Sequence, residues 1–398
     1  MKSQVEKLYN ISQKDTRIII GLMSGTSLDG LDIALCKISG SGVHTHLELL
    51  EFETCSYPEP LMADIRKIFA QRQIDQQLLC SLHAEIAHIQ AQMINKTLKK
   101  WSLTPQQVDA IASHGQTVYH APQSLTQDYS RPHSTLQIAD GDHIALKTGI
   151  ITLSDFRQKH VAAGGQGAPL AVYGDYLLFT HHTENRLLLN IGGIANFTLL
   201  PCAQSPLEAF ATDLGPGNTI MNSYMKAYFN KPMDQDAHIA KQGTVHKKLL
   251  DALLSHPFLN SNFPKTTGPE LFSLDYLREK QQESHSLNLP KEDVMATLNA
   301  FSAHAITQGI QKVGAHIKQL TVYISGGGLH NPLLLENIRK NIPQYPVHSM
   351  HKLQMNPDAK EACLFALLAN QTLAGSANQT RAIKDAPEIS MGKISFPH

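Results

Sequence analysis

The sequence predicts an α/β protein built from two similar halves, each a mixed sheet flanked by helices. Three observations lead there. "RIIIGLMSGTSLDGLDIALCKI" and, about 165 residues later, "RLLLNIGGIANFTLL" both read as strand, Gly-centred turn, strand. After the first hairpin the order continues strand, helix, helix, strand, the pattern of a mixed sheet. The 398 residues also exceed what one hydrophobic core usually serves.

Residues 1–16 are polar and expected to fray. "RIIIGLM", "LDIALCKI" and "THLELLEFETCSY" read as strands, "PLMADIRKIFA" and "DQQLLCSLHAEIAHIQAQMINKTLKKW" as helices, and "DAIASHGQTV" and "GIITLSDF" as strands again. In the second half, "EAFATDLGPGNTIMNSYM" reads as strand, Gly/Pro turn, helix. "QLTVYISGGGLHNPLLLENIRK" is strand, triple-Gly turn, helix, with Asn331 as cap and Pro332 at the first helical position. "NPDAKEACLFALLANQTLAG" forms one long helix closed by Gly375, and a loose tail follows. The expected domains are 1–183 and 184–398, with the final helix, 357–375, open to packing against the first.

Lys+Arg and Asp+Glu balance at 34 each, so no charge excess points to nucleic acid or a membrane surface, and a small molecule is the expected partner. Five scattered cysteines without a C-x-x-C pair suit a reducing cytoplasm better than a disulfide scaffold or zinc ribbon. No apolar leader or membrane-length run is present.

Glycine turns let backbone N–H groups approach an anion, and successive N–H groups form a nest for phosphate oxygens. In the first turn Ser24, Thr26 and Ser27 add hydroxyls, and Asp29 or Asp32 can hold a magnesium ion. The plainer alternative is a pair of tight hairpins with no ligand. Standard nucleotide motifs do not fit. "GDHIALKT" has Leu146 where a P-loop needs its second glycine, and "GGQGAPL" and "GGGLHN" lack the last glycine of G-x-G-x-x-G. G-x-S-x-G and H-E-x-x-H are absent, and the 21 histidines show no ligand spacing.

The blocks "GLMSGTSLDGLD", "HGQT", "LQIADGD", "DFR", "GGQGAPL", "NIGGIAN", "DLGPGN", "SGGGLHNP" and "KEACLFA" occur, in this order, as in the anhydro-N-acetylmuramic acid kinases. The resemblance runs from about Ile18 to Gly375. It implies the actin-like (ribonuclease H-like) ATPase fold, two similar domains with an ATP cleft between them. It also implies conversion of 1,6-anhydro-N-acetylmuramic acid, ATP and water into N-acetylmuramic acid 6-phosphate and ADP during cell-wall recycling, with ATP and Mg²⁺ as cofactors and a cytoplasmic homodimer.

Carried over block by block, Gly25, Thr26, Ser27, Leu28, Asp29, Gly30, Leu31 and Asp32 form the first phosphate hairpin, with Asp29 and Asp32 as metal candidates. Gly192 and Gly193 form the second, and Gly326, Gly327 and Gly328 lie near the adenosine. Asp213 matches the carboxylate that activates water. Leu214 departs from the family's usual Thr, and Ala139 from a frequent Gly.

In an anhydro sugar O6 is bonded to the anomeric carbon and has no proton to lose. Acetal cleavage ordinarily takes an acid at the leaving oxygen and a base for water. Here the γ-phosphoryl group serves as electrophile at O6, so one carboxylate, Asp213, suffices; the alternatives are that it caps the next helix or binds metal. Substrate candidates are Ser27, His114, Gln116, Arg157 and Glu361. Arg157 suits the lactyl carboxylate, or else pairs with Asp155. His114 is equally a buried structural histidine, and Glu361 either meets a sugar hydroxyl or complements a helix dipole. An ordinary amino-sugar kinase, an ATP-independent anhydrosugar hydrolase and a non-catalytic sensor stay open as rivals.

Overall fold

The computed structural model describes residues 2–398 apart from 26, 27, 29, 269, 354, 355, 357 and 376–382. The chain divides into two compact units, Met1–Leu178 with Asp358–His398, and Phe179–Pro357. The stretch 358–398, which a contiguous division at 183/184 gives to the second domain, therefore packs with the first.

The strands are β1 (Thr16–Ser24), β2 (Gly30–Ser39), β3 (His46–Ser56), β4 (Ala110–Ala121), β5 (Ser134–Ile138), β6 (Thr152–Ser154), β7 (Asn185–Ile191), β8 (Ile194–Leu200), β9 (Phe210–Pro216), β10 (Leu320–Ser325), β11 (Val347–Ser349) and β12 (Lys393–Ser395). In the first unit β3-β2-β1-β4-β6-β12 is the sheet order, with β5 also paired to β4. β1, β2 and β3 form an antiparallel meander, and β1, β4 and β6 run parallel. In the second unit the order is β9-β8-β7-β10-β11, again a meander followed by two parallel strands. The two halves thus share one topology, and the mixed α/β class is the one the sequence predicts.

Local chemistry accounts for the element ends. Asp75 accepts from the N–H groups of Gln77 and Leu78 and so starts the helix Gln76–Lys100, which buries Leu82, Ile86, Ile94 and Leu98. Asn331 accepts from the Leu334 N–H ahead of the helix Pro332–Asn341. Gly375 follows the helix Lys360–Ala374 with φ −90°, so it closes that helix without a left-handed turn.

Three segments differ from expectation. The polar N-terminus forms a helix, Lys2–Ser12. Buried Arg17 holds its end, donating to the carbonyls of Ile11 (3.0 Å), Ser12 (2.6 Å) and Lys14 (2.6 Å) and to Asn370 Oδ1 (3.2 Å). The tail contributes β12, antiparallel to β6, too short to show alternation. The helix Lys291–Gly314 runs through the second core buried on nearly every side, Met295, Leu298, Phe301 and Ile306 among its core residues. Its exposed polar stripe is narrow and confined to the second half, His304, Gln308, Gln311 and Lys312, so the amphipathic signature is weak.

The final helix lies on β1 at closest range. A Cβ on Gly21 would sit 1.9 Å from the Ala362 carbonyl oxygen, so only glycine lets the helix backbone touch the strand there. Beside this contact Cys36 and Cys363, both buried and free, place their sulfurs 3.7 Å apart. Gly21→Ala is expected to lower stability by about 1–3 kcal/mol or more through overpacking. Urea unfolding checks this, and an unchanged midpoint would contradict the close approach.

Candidate active site

In the first unit the β1–β2 turn is braced from β4. Ser24 donates to Gln116 Oε1 at 2.5 Å, and Gln116 Nε2 donates to the Gly25 carbonyl at 3.3 Å. Leu28, at φ +60°, returns its N–H to the same carbonyl. Leu28 and Leu31 are buried in the core, which leaves their backbone groups as what they can offer a ligand. Gly30 faces the Cys55 carbonyl, 2.4 Å from where a Cβ would lie. Asp32 accepts from Thr54 Oγ1 at 2.6 Å. Thr26, Ser27 and Asp29 lie outside the described residues. Gln116 is fully buried, with both ends of its amide bracing the turn.

Arg157, His114 and Glu361 come from three different elements and meet in this unit. Arg157 donates through Nε to His114 Nε2 (2.9 Å) and through Nη1 to the Gly167 carbonyl (2.8 Å). Asp155 instead pairs with Lys393. Because His114 accepts at Nε2, its neutral ring carries the proton on Nδ1. That atom is buried and makes no well-formed hydrogen bond among the described residues, although the backbone of Gly115 and Ser24 beside the ring weakly favours its protonation. The His114 ring packs 4.8 Å from Phe365, one helical turn beyond Glu361.

Burial, then the Arg157 charge, pushes His114 down to about 3, and His120 and His160 down to about 4. Burial lowers Arg157 to about 10, with Glu361 opposing, so the guanidinium stays charged at neutral pH. Glu361 remains exposed in the first turn of its helix. Desolvation by the protein crowded around its carboxyl raises its pKa all the same; Lys360 and Arg157 oppose, and Asp32 adds to the rise. The result is one fixed cation among neutral imidazoles, facing carboxylates.

The loop 164–167 is shaped around the same group. Gly167 donates its N–H to His160 Nδ1 at 2.9 Å, and a Cβ on Gly165 would fall 2.2 Å from the His160 ring. His120, on β4, and His160, on the helix Phe156–Ala162, were not singled out from sequence, since spacing along a strand or helix does not show which distant loop packs on a ring.

In the second unit the two-residue turn Gly192–Gly193 joins β7 to β8. Its carbonyls accept from Gly217 (2.8 Å), Asn218 (2.9 Å) and Thr219 (3.1 Å), which knits it to the start of the helix Thr219–Phe229. Gly326, at φ +85°, and Gly328 pack on the end of β7, where Cβ atoms would meet the Ile191 carbonyl at 2.8 Å and its side chain at 2.3 Å. Gly327 stays exposed between them.

Asp213 lies on β9, opposite Asn196. It does not cap the following helix, whose N-cap position is Asn218. Its N–H donates to the Lys265 carbonyl (2.9 Å), and its Oδ2 accepts from the Thr267 N–H (2.8 Å). Among the described residues Oδ1 accepts no hydrogen bond. Burial raises the carboxyl's pKa, while the Thr267 N–H and the Lys265 charge oppose. Such a carboxyl, held by one oxygen and open at the other, can position a water and take its proton. Leu214 turns inward onto the long helix, 2.2 Å from where a Gly309 Cβ would lie. Ala139 sits at φ +94°, a backbone region that favours the glycine it replaces. Lys265 and Thr267 went unnoticed in the sequence, because "FPKTTGPE" is irregular and has no periodicity.

The sequence profile of the anhydro-N-acetylmuramic acid kinases matches residues 17–395. The chain belongs to this family. An anhydro-N-acetylmuramic acid kinase of Pseudoalteromonas atlantica is 50% identical over 401 residues, covering 100% of both chains. One of Pseudoalteromonas translucida is 48% identical over 402 residues with the same coverage. One of Caldanaerobacter subterraneus is 38% identical over 396 residues, 98% of this chain and 100% of the other. For a member of the anhydro-N-acetylmuramic acid kinases, Asp213, Arg157, His114 and the glycine turns are the groups whose chemistry needs assigning. No helix among the described residues is long and apolar enough to cross a membrane.

The depressed histidine values fix a sign. Below its ordinary value of 6.5 His114 would take a proton when unfolded but not when folded, until about pH 3. Stability should therefore fall as pH drops from about 6.5 towards 3. Urea midpoints measured from pH 7 to pH 4 should fall less steeply in His114→Gln than in the parent.

Proposed function

We propose that this chain uses ATP and water to open 1,6-anhydro-N-acetylmuramic acid and phosphorylate its O6, giving N-acetylmuramic acid 6-phosphate and ADP for reuse of peptidoglycan. The observation that carries the reading is the Asp213 carboxylate, held by Thr267 through one oxygen, with the other free for water. Water adds at C1 and gives its proton to Asp213. The C1–O6 bond breaks, and the O6 electron pair takes the γ-phosphoryl group, releasing ADP. O6 never needs a proton, so a second carboxylic acid is unnecessary.

Other residues bind and orient. The turns at Gly25–Asp32 and Gly192–Gly193 offer backbone N–H groups to the phosphates, and Gly326–Gly328 borders the adenosine. Arg157 suits the lactyl carboxylate, since its planar fork is already aligned by His114 and Gly167. The buried His114 Nδ1–H, which makes no well-formed hydrogen bond among the described residues, is a donor for sugar oxygens, and Ser27 and Glu361 are the further candidates from the sequence. No group of three or more His, Cys, Asp or Glu among the described residues forms a metal cage. That fits Mg²⁺, which commonly takes one or two carboxylates together with nucleotide phosphates. Asp32, with Asp29 the second candidate from the sequence, is the carboxylate we assign to it, and the ion would neutralise phosphate charge. A cytoplasmic homodimer completes the proposal.

The test is reaction of the anhydro sugar with Mg·ATP in oxygen-18 water, quenched before exchange at the free anomeric centre. One label at C1 of the 6-phosphate per ADP is expected. Asp213→Asn should lower kcat by roughly 10²–10⁴-fold with ATP affinity nearly unchanged. Turnover of reducing N-acetylmuramic acid but not the anhydro sugar would make this an ordinary sugar kinase.

A further inference from the structure

The segment Phe258–Thr267 forms a strap over β9. Its start is a single helical turn, Pro257–Asn260, whose terminal carbonyls need donors. Lys265 supplies them from the strap's other end. Its ammonium donates to the carbonyls of Phe258 (2.6 Å) and Leu259 (3.0 Å), and lies 4.3 Å from the Phe258 ring centroid. Lys312, on the helix Lys291–Gly314, donates to the carbonyls of Asn260 (3.2 Å) and Ser261 (2.9 Å).

The Lys265 backbone is bound as firmly to β9. Its N–H donates to Thr212 Oγ1 (2.9 Å), and its carbonyl accepts from the Asp213 N–H (2.9 Å) and lies 3.2 Å from Thr212 Oγ1. Two residues on, the Thr267 N–H reaches Asp213 Oδ2. The side chain folds the strap back on itself, and the backbone aligns it with the strand that carries the carboxylate.

We propose that Lys265 is the positioning residue for Asp213, tying down the strap that delivers the Thr267 N–H to one carboxylate oxygen and leaves the other for water. The inference rests on Asp213 as the base. The lysine also acts through charge. Lys265 opposes the rise in the Asp213 pKa, and Asp213 in turn opposes the fall of Lys265, which burial and then Lys312 bring to about 8. These are the charged groups acting on the pair. A neutral residue at 265 therefore lets the Asp213 pKa climb further, and the acid limb of activity moves to higher pH.

The experiment compares Lys265→Met and Lys265→Arg with the parent enzyme. In Lys265→Met kcat should fall by roughly tenfold to a hundredfold, as expected for a displaced catalytic group, with both KM values held within about twofold. Its acid limb should move up, and hydrogen exchange at the Thr267 amide should speed up. Lys265→Arg, which keeps the charge, should keep the parent's acid limb. A folded Lys265→Met with unchanged kcat, acid limb and Thr267 exchange would overturn the proposal. If the methionine variant does not fold, Lys265→Gln carries the same outcomes. Asp213→Asn measured alongside separates the two ideas: retained turnover there sinks the base, while Thr267 exchange still reports on the strap.

Discussion

The contact between Gly21 and the Ala362 carbonyl is the constraint on which the first unit's group of candidate residues depends. A helix normally rests on a sheet with side chains in between, and here one glycine removes that layer. Bringing the helix backbone down onto β1 sets the depth of its first two turns. Glu361 then faces the charge of Arg157, and Phe365 packs against the His114 ring. The interactions of these residues follow from an atom that is missing elsewhere. A side chain at position 21 would lift the helix and spread the group without altering any member of it.

The second unit uses backbone hydrogen bonds where the first uses a close contact. The Gly192–Gly193 carbonyls accept from the start of the next helix, so two loops far apart in sequence hold one shape. The strap around Asp213 follows the same logic, with Thr212 and Asp213 on one side and Lys265 and Thr267 on the other. Rigid backbone bonding suits a carboxylate that has to keep one oxygen occupied and one available. Desolvation makes that carboxyl more basic, and the Thr267 bond and the Lys265 charge keep the rise in check.

Much of this was legible in the sequence where chemistry and spacing coincide. The two hairpins show β-branched and aliphatic runs around glycine turns, and their shared sheet order followed. Asn331 before Pro332 announced a helix start that the Leu334 N–H bond bears out. Other features carry no one-dimensional signal. The helix Lys291–Gly314 is buried on most sides, and its polar stripe, His304, Gln308, Gln311 and Lys312, covers only the second half. β12 is only three residues long, and its partner β6 lies more than two hundred positions earlier. Arg157 sits two residues from Asp155 yet bonds His114, because Lys393 from the far end of the chain takes that aspartate. The strap's order lies in contacts between Lys265 and its own loop, which spacing alone does not encode.

The return of 358–398 to the first unit also bears on how the molecule is made. Translation usually lets the leading domain fold before the next emerges. In this chain Phe179–Pro357 has all its strands once it leaves the ribosome, while the leading unit still lacks the helix that covers β1 and the strand that pairs with β6. The middle of the polypeptide can mature first, and the earliest-made sheet waits with Gly21 uncovered. Completion of the first unit is thereby tied to synthesis of the last tenth of the chain, so an interrupted product keeps Arg157 and His114 but lacks the Glu361 and Phe365 that face them.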